Sequence, residues 1–330
     1  MMRKLRIGMI SFAHFHAFSF LNALRNMPEV EVTGISHEIR SRVESVLEQT
    51  GIAYYEDYRE LLKTDIDAVV ICSENVKHAA QTIDAANAKK HVLCEKPLGI
   101  SVEEMERMIA ACEVNGVQLM TAFPCRYLTA VVQAKQAVNR GEIGKIVAIK
   151  GTNRGTFPGG WFVNPQQSGG GALLDHTVHV MDLMNWFLAG SRVKEVYAYA
   201  ATLFQEGAEV EDAGMIHMKF DNGVFGVIDT SWSSPKSFPT WGDVTMEIVG
   251  TKGVISVDSF AQKNELFSDD IGKGIYSFWG DGMDKYMVKG FVDAVLNDSP
   301  VPINGLDGLR SAEVALAGYR SVKLVQPVQI

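Results

Sequence analysis

The chain has 330 residues, 47% of them hydrophobic and 21% charged, proportions that exclude a disordered, collagen-like or coiled-coil protein. Its 31 basic residues stand against 39 acidic ones, a formal net charge of −8. That balance, with no basic cluster, argues against nucleic acid or an anionic membrane as main partners. The length predicts two domains. Cys72, Cys94, Cys112 and Cys125 show no C-x-x-C spacing and sit among apolar residues, as buried free thiols of a reducing compartment do. No apolar run reaches the roughly 18 residues of a membrane span. The basic start is followed by Gly8, Ser11, His14 and His16 rather than by a signal-peptide cleavage site. A cytoplasmic protein is expected.

In chain order, Ile7 to Ile10 reads as a buried strand, and Ala17, Phe20, Leu21 and Leu24 recur at helical spacing. Strands follow at Val30 to Ile35 and Ala68 to Cys72, then a helix over Ala79 to Lys89 and a strand at His91 to Cys94. Ser101 and Glu104 form a capping-box pattern before Met105, Met108, Ile109 and Cys112, and Gly116 ends that helix. Val117 to Ala122 is one more strand. Strands alternating with helices predict a doubly wound, Rossmann-type parallel sheet over residues 1–122. Beyond residue 123 the pattern changes. All five tryptophans lie there, and Met215 to Phe220 with Val224 to Trp232, and Asp243 to Val249 with Val254 to Asp258, read as hairpins. Helices are expected at Leu128 to Asn139, Ala172 to Leu188, Lys285 to Leu296 and Leu306 to Leu324. Residues 123–330 are thus an α+β domain with a mostly antiparallel sheet. The fold class is α/β.

Two stretches carry chemistry. His91 to Cys94 runs directly into Glu95-Lys96-Pro97, and Pro97 restricts Lys96 to extended backbone, which aims the lysine from a strand end, where ligands bind open α/β sheets. Read alone, a lysine after a strand is more often a solvated surface residue. The second stretch is Gly169-Gly170-Gly171 feeding an apolar helix on which Asp175 and His179, at i and i+4, share one face. The pair suits proton transfer, with the carboxylate raising the basicity of the imidazole; a structural Asp–His bond is the equal alternative.

These motifs together, with Tyr58-Arg59-Glu60-Leu61-Leu62, Ser73-Glu74-Asn75 with His78, Gly141-Glu142-Ile143-Gly144, Glu211-Asp212, Asn222-Gly223 and Tyr319-Arg320-Ser321, make the chain resemble the Gfo/Idh/MocA oxidoreductases over its whole length. The resemblance implies hydride transfer between NAD or NADP and a sugar or polyol hydroxyl bound between the domains. It implies Lys96, Asp175 and His179 as catalytic residues. His179 would take the hydroxyl proton, Lys96 would stabilise the alkoxide and Asp175 would orient the pair. It further implies a dinucleotide lined by Ser11, Phe12, Ala13, His14, Ser36, His37, Ser73, Asn75, His78, Glu95, Lys96, Arg126 and Trp161. Family members commonly pair through the second-domain sheet, so a homodimer or homotetramer is expected. Other readings within the resemblance are a redox-assisted, NAD-dependent glycosidase and a non-catalytic dinucleotide-sensing regulator.

The chain departs from the pattern at the turn after the first strand, where Ser11-Phe12-Ala13-His14-Phe15-His16 replaces all three glycines of G-x-G-x-x-G. His14 and His16 either line the nicotinamide side or cap the helix. At the end of the second strand Ser36 stands where NAD enzymes carry an acid. With His37 and Arg40 nearby, this tilts the expectation slightly toward NADP, while Glu38 leaves NAD open. Arg126 is a cofactor neighbour or a surface salt bridge, and Asn153 and Arg154 are substrate-reaching or ordinary loop residues. No metal site is expected, since helical spacing sets His176 roughly 100° from Asp175.

Overall fold

The computed structural model describes residues 3–238, 240–261, 263–270, 272–278 and 282–330. The chain forms two compact units, one of Met1–Pro124, Gln166–Gly169 and Asp284–Ala312, the other of Cys125–Pro165, Gly170–Met283 and Glu313–Ile330.

The first unit is built on six parallel strands: β1 (Leu5–Ile10), β2 (Val30–Ser36), β3 (Ala53–Tyr55), β4 (Ala68–Ile71), β5 (His91–Cys94) and β6 (Leu119–Thr121), in the order β3-β2-β1-β4-β5-β6. Every residue of β4 is buried, which is why its sequence is an unbroken apolar run: a central parallel strand is covered on both faces. Between the strands lie α1 (His16–Arg25), α2 (Glu44–Thr50), α3 (Tyr58–Leu62), α4 (His78–Asn87) and α5 (Val102–Asn115). Helix α5 starts where Ser101 Oγ accepts the Glu104 N–H at 3.2 Å. It buries Met105, Met108 and Cys112, and ends at Gly116, whose φ of +66° suits only glycine well. The strand order reverses between β1 and β4, the switch point at which such sheets bind ligands beyond their carboxyl ends.

The second unit carries α6 (Thr129–Asn139), the short α7 (Pro165–Ser168, largely of the first unit) and α8 (Ala172–Phe187). Its sheet comprises β7 (Ile146–Arg154), β8 (Val193–Ala201), β9 (Ala213–Phe220), β10 (Phe225–Ser231), β11 (Thr245–Gly250) and β12 (Val254–Asp258). A two-stranded ribbon of β13 (Lys263–Ser268) and β14 (Lys273–Phe278) follows, then α9 (Met283–Leu296), α10 (Gly305–Leu324) and β15 (Val328–Gln329). The order is β12-β11-β7-β10-β9-β8-β15, and all pairs are antiparallel except β7 with β10. Both expected hairpins are present. Helix α8 is buried from Ala172 to Met184. It lies against the sheet where Gly151 and Gly214 leave room for Val180 and Leu173. The opposite face exposes Tyr199, Met215 and Phe225. Among the described residues no helix is long and apolar enough to cross a membrane.

Candidate functional site

In the first unit, the expected cofactor residues gather at the carboxyl edge of the parallel sheet. Ser11, directly after β1, has φ +67°, the left-handed conformation for which glycine is the usual residue. Its N–H donates to Ser36 O at 2.8 Å, its Oγ accepts the Ala13 N–H at 3.2 Å, and the His14 N–H donates to Cys72 O at 3.0 Å. The loop thereby makes the turn of the first fingerprint glycine with a serine, tied to the ends of β2 and β4. Just past β5, the fully buried Glu95 carboxylate places Oε1 2.8 Å from His16 Nδ1 and 3.9 Å from His14 Nδ1, while Oε2 accepts the Lys96 N–H at 2.9 Å. Lys96 is 5% exposed, and its peptide bond to Pro97 is cis.

Around this centre the side chains are held by main-chain and side-chain partners. His78 is buried, with Nδ1 2.9 Å from Pro97 O and Nε2 3.2 Å from Ser73 O, and burial lowers its pKa. Ser73 Oγ donates to Gln81 Oε1 at 2.7 Å and Asn75 Nδ2 to Ser168 O at 2.8 Å. His37 Nδ1 accepts the Ile39 N–H at 2.9 Å, so the neutral ring carries its proton on Nε2. That nitrogen is buried without a protein partner. Burial, followed by the charge of Arg42, lowers the pKa of this histidine. Glu38 accepts two bonds from Lys77 Nζ, at 2.8 and 3.0 Å, and Lys77 also meets Glu74 at 3.2 Å. Ser11, Ser36, His37, Glu38, Tyr58 and Lys77 line one cleft.

In the second unit, the glycine run is explained by what crowds it. A Cβ on Gly171 would overlap the Glu211 carbonyl oxygen, and one on Gly170 the Tyr319 hydroxyl. The Glu211 side chain caps α8: Oε1 accepts the N–H groups of Gly171 at 3.0 Å and Leu173 at 2.9 Å and the Tyr319 hydroxyl at 2.8 Å. An anion suits a helix start, yet burial still raises the Glu211 pKa. One turn on, Asp175 Oδ2 accepts the Trp232 indole N–H at 3.2 Å and lies 3.3 Å from His176 Nε2. His176 Nδ1 is 2.9 Å from Asn153 O and so carries a proton toward that carbonyl; any proton on Nε2 is shared with Asp175. His179 is buried, with Nδ1 3.9 Å from Cys125 Sγ and its ring 6.4 Å from that of Trp241.

Several expectations change. His176, set aside because successive helix positions point about 100° apart, comes within salt-bridge reach of Asp175: neighbouring side chains converge at their tips although their Cβ atoms diverge. Arg126 does form a salt bridge, but a buried one, with Nε 2.7 Å and its terminal nitrogen 2.5 Å from the two Asp182 oxygens. Asn153 and Arg154 close β7 rather than lying in a loop. Asn153 Nδ2 donates to Asp243 O at 2.7 Å, and Arg154 grips the Asp243 carboxylate at 2.6 and 2.9 Å. Trp161 stacks on Phe162, with centroids 3.9 Å apart. Lys96 lies in the first unit, and Arg126, Trp161, Asp175 and His179 in the second. Sequence reasoning missed the roles of Glu211, Tyr319, Trp232 and Asp182, whose partners lie 38 to 148 residues away. The sequence signals were the motifs Glu211-Asp212 and Tyr319-Arg320-Ser321, which mark Glu211 and Tyr319 without showing what they meet.

Both units are similar to known proteins. A family model described as the oxidoreductase family with an NAD-binding Rossmann fold (GFO_IDH_MocA) matches residues 5–123, and one for the GFO/IDH/MocA C-terminal domain matches residues 131–256. The chain is 30% identical to a myo-inositol 2-dehydrogenase of Thermotoga maritima, over 98% of this chain and 100% of that one. It is 26% identical to a scyllo-inositol 2-dehydrogenase (NAD(+)) of Bacillus subtilis, over 98% and 95%. Among solved structures, a probable dehydrogenase from Thermotoga maritima superposes with a TM-score of 0.85 at 28% identity, covering 98% of each chain.

Proposed function

The chain belongs to the Gfo/Idh/MocA family of NAD-binding oxidoreductases, and from that premise we propose that it transfers hydride between a nicotinamide cofactor and the hydroxyl-bearing carbon of a cyclic polyol or related sugar, which becomes a carbonyl carbon. The observation that carries this reading is Lys96, buried beside the Glu95 carboxylate at the end of β5. A lysine ammonium withdrawn from water is a strong electrostatic partner for a developing alkoxide. The polyol class rests on the inositol dehydrogenases among the relatives.

The dinucleotide supplies the hydride acceptor when bound. Residues present in the first unit fit it. Ser11 holds the phosphate-turn backbone, and the buried His37 Nε2–H is a donor without a protein acceptor in the cleft at the end of β2. Ser36 and the His37 Nε2–H favour a ribose 2′-phosphate; Glu38 and Lys77 are held in an ion pair with each other. We assign the remaining steps to protein groups. His179 takes the substrate hydroxyl proton, Lys96 steadies the oxygen as its negative charge develops, and Asp175, held by Trp232 and His176, positions the proton-handling group. The open face of the second unit's sheet, with Tyr199, Met215 and Phe225, is proposed to pair copies of the chain. Four cysteines buried as free thiols support a cytoplasmic setting.

The test is direct. NADPH should quench protein fluorescence at least as tightly as NADH, and Lys96→Ala and His179→Ala should each lower kcat by about 10²–10⁴ with an unchanged circular dichroism spectrum. Binding of neither cofactor would overturn the oxidoreductase reading. NADPH bound tenfold more weakly than NADH would overturn the NADP preference, and full activity in both variants would overturn the assigned roles.

A further inference from the structure

One cluster at the sheet edge does more than the hydride-transfer reading requires. His14 and His16 form an H-x-H pair at the turn into α1, and Glu95 reaches them from β5, 79 residues away in sequence from His16. One potential ligand atom from each of the three lies within 4.8 Å of the others. The imidazole rings sit 4.3 Å apart. The Glu95 and His14 side chains are 0% and 2% exposed, and that of His16 15%, so two ligands are shielded and the third opens a path to solvent.

We propose that His14 Nδ1, His16 Nδ1 and Glu95 Oε1 form a binding site for a divalent transition-metal ion of the zinc class. Two imidazoles and one carboxylate are a borderline-soft donor set that suits zinc, cobalt or iron(II) and not magnesium or calcium, which take oxygen ligands. Ligand atoms on one tetrahedral ion stand a little over 3 Å apart. The separations of 2.8 Å from His16 Nδ1 and 3.9 Å from His14 Nδ1 to Glu95 Oε1 bracket that value. Supporting bonds already orient the ligands. Glu95 Oε2 accepts the Lys96 N–H, the kind of outer contact that a ligating carboxylate carries, and the His14 main chain is fixed by its N–H bond to Cys72 O. Binding displaces the proton between His16 Nδ1 and Glu95 and the 3.2 Å bond from the His16 N–H to His14 Nδ1. The start of α1 disfavours a cation, so the carboxylate is required for charge as well as geometry. Three protein ligands leave a coordination position open.

This site does not depend on the hydride-transfer reading, and its test reads metal directly. After chelator treatment and desalting, calorimetric titration of the full chain with zinc chloride should show one equivalent bound. Cobalt(II) should give the intense visible bands of a low-coordinate nitrogen–oxygen site. His14→Gln, His16→Gln and Glu95→Gln should each weaken zinc binding by about 100-fold. The cobalt spectrum needs only the unaltered protein, so it stands even if a variant misfolds. No stoichiometric zinc binding, or zinc binding unchanged in a folded His16→Gln and a folded Glu95→Gln, would overturn the proposal and leave the cluster a proton-sharing trio. NADH and NADPH titration of the metal-free chain separately tests the cofactor reading.

Discussion

Two turns feed the two helices that matter most, and they solve the same problem in opposite ways. The turn into α1 has no glycine from residue 11 to 16, although Ser11 adopts the left-handed backbone glycine would take most easily. The turn into α8 has glycine at 169, 170 and 171, and at the last two the reason is occupancy: Tyr319 and Glu211 fill the volume a Cβ would need. A left-handed φ costs a non-glycine residue about 1–2 kcal/mol, which neighbouring hydrogen bonds offset. Overlap with a carbonyl oxygen in a packed interior has no such remedy. Glycine is therefore replaceable where it serves a torsion angle and not where it serves close approach.

Gly171→Ala is the strongest attack on that distinction. Its Cβ would displace the Glu211 backbone and open the cap of α8, with an expected loss of about 3 kcal/mol or more, read by urea denaturation. A loss below about 0.5 kcal/mol would show that the strand carrying Glu211 yields easily, and the contrast would fall.

Glu211 itself gives a subtler probe. Burial raises its folded-state pKa above the ordinary carboxylate value, so the fold favours the protonated form. The resulting stability is fully present below the unfolded pKa of about 4.3 and is lost as pH rises through the folded pKa. The melting-temperature advantage of the native chain over Glu211→Gln should therefore shrink by a few degrees between pH 4 and pH 8. An advantage that grows over that range would mean that the α8 N–H groups outweigh desolvation.

The smallest effect is expected at the first turn. Ser11→Gly relieves the left-handed serine but loses its bond to the Ala13 N–H and loosens the unfolded chain. The net change should lie between zero and a gain of about 1 kcal/mol. A loss larger than 1 kcal/mol in thermal melting would show that the hydroxyl, not the torsion, governs this turn.

Most of the first unit was legible because its signals are local. Apolar runs marked β1, β2, β4 and β5, and Ser101 and Gly116 marked the ends of α5 to within a residue. The second unit's hairpins were equally readable. Less visible were α2, β3, β8 and the parallel β7–β10 pair, whose existence depends on partners far along the chain. The candidate site divides the same way. Lys96 before a proline and Asp175 with His179 on one helix face are spacing arguments, whereas Asp175 meeting Trp232, Arg126 meeting Asp182 and Glu211 capping α8 span 38 to 57 residues.

By itself, then, the sequence determined the parallel-then-antiparallel architecture, the strand end that precedes Lys96 and the helix that carries Asp175 and His179, because periodicity, caps and turns act over a few residues. Only the tertiary structure decided which groups those side chains meet. It turned a surface salt bridge into the buried Arg126–Asp182 pair, brought His176 to Asp175, and converted an apparent defect in the glycine fingerprint into a cluster of two histidines around a buried glutamate. Hydrogen bonds and desolvation are set by neighbours in space, and a one-dimensional pattern does not record them.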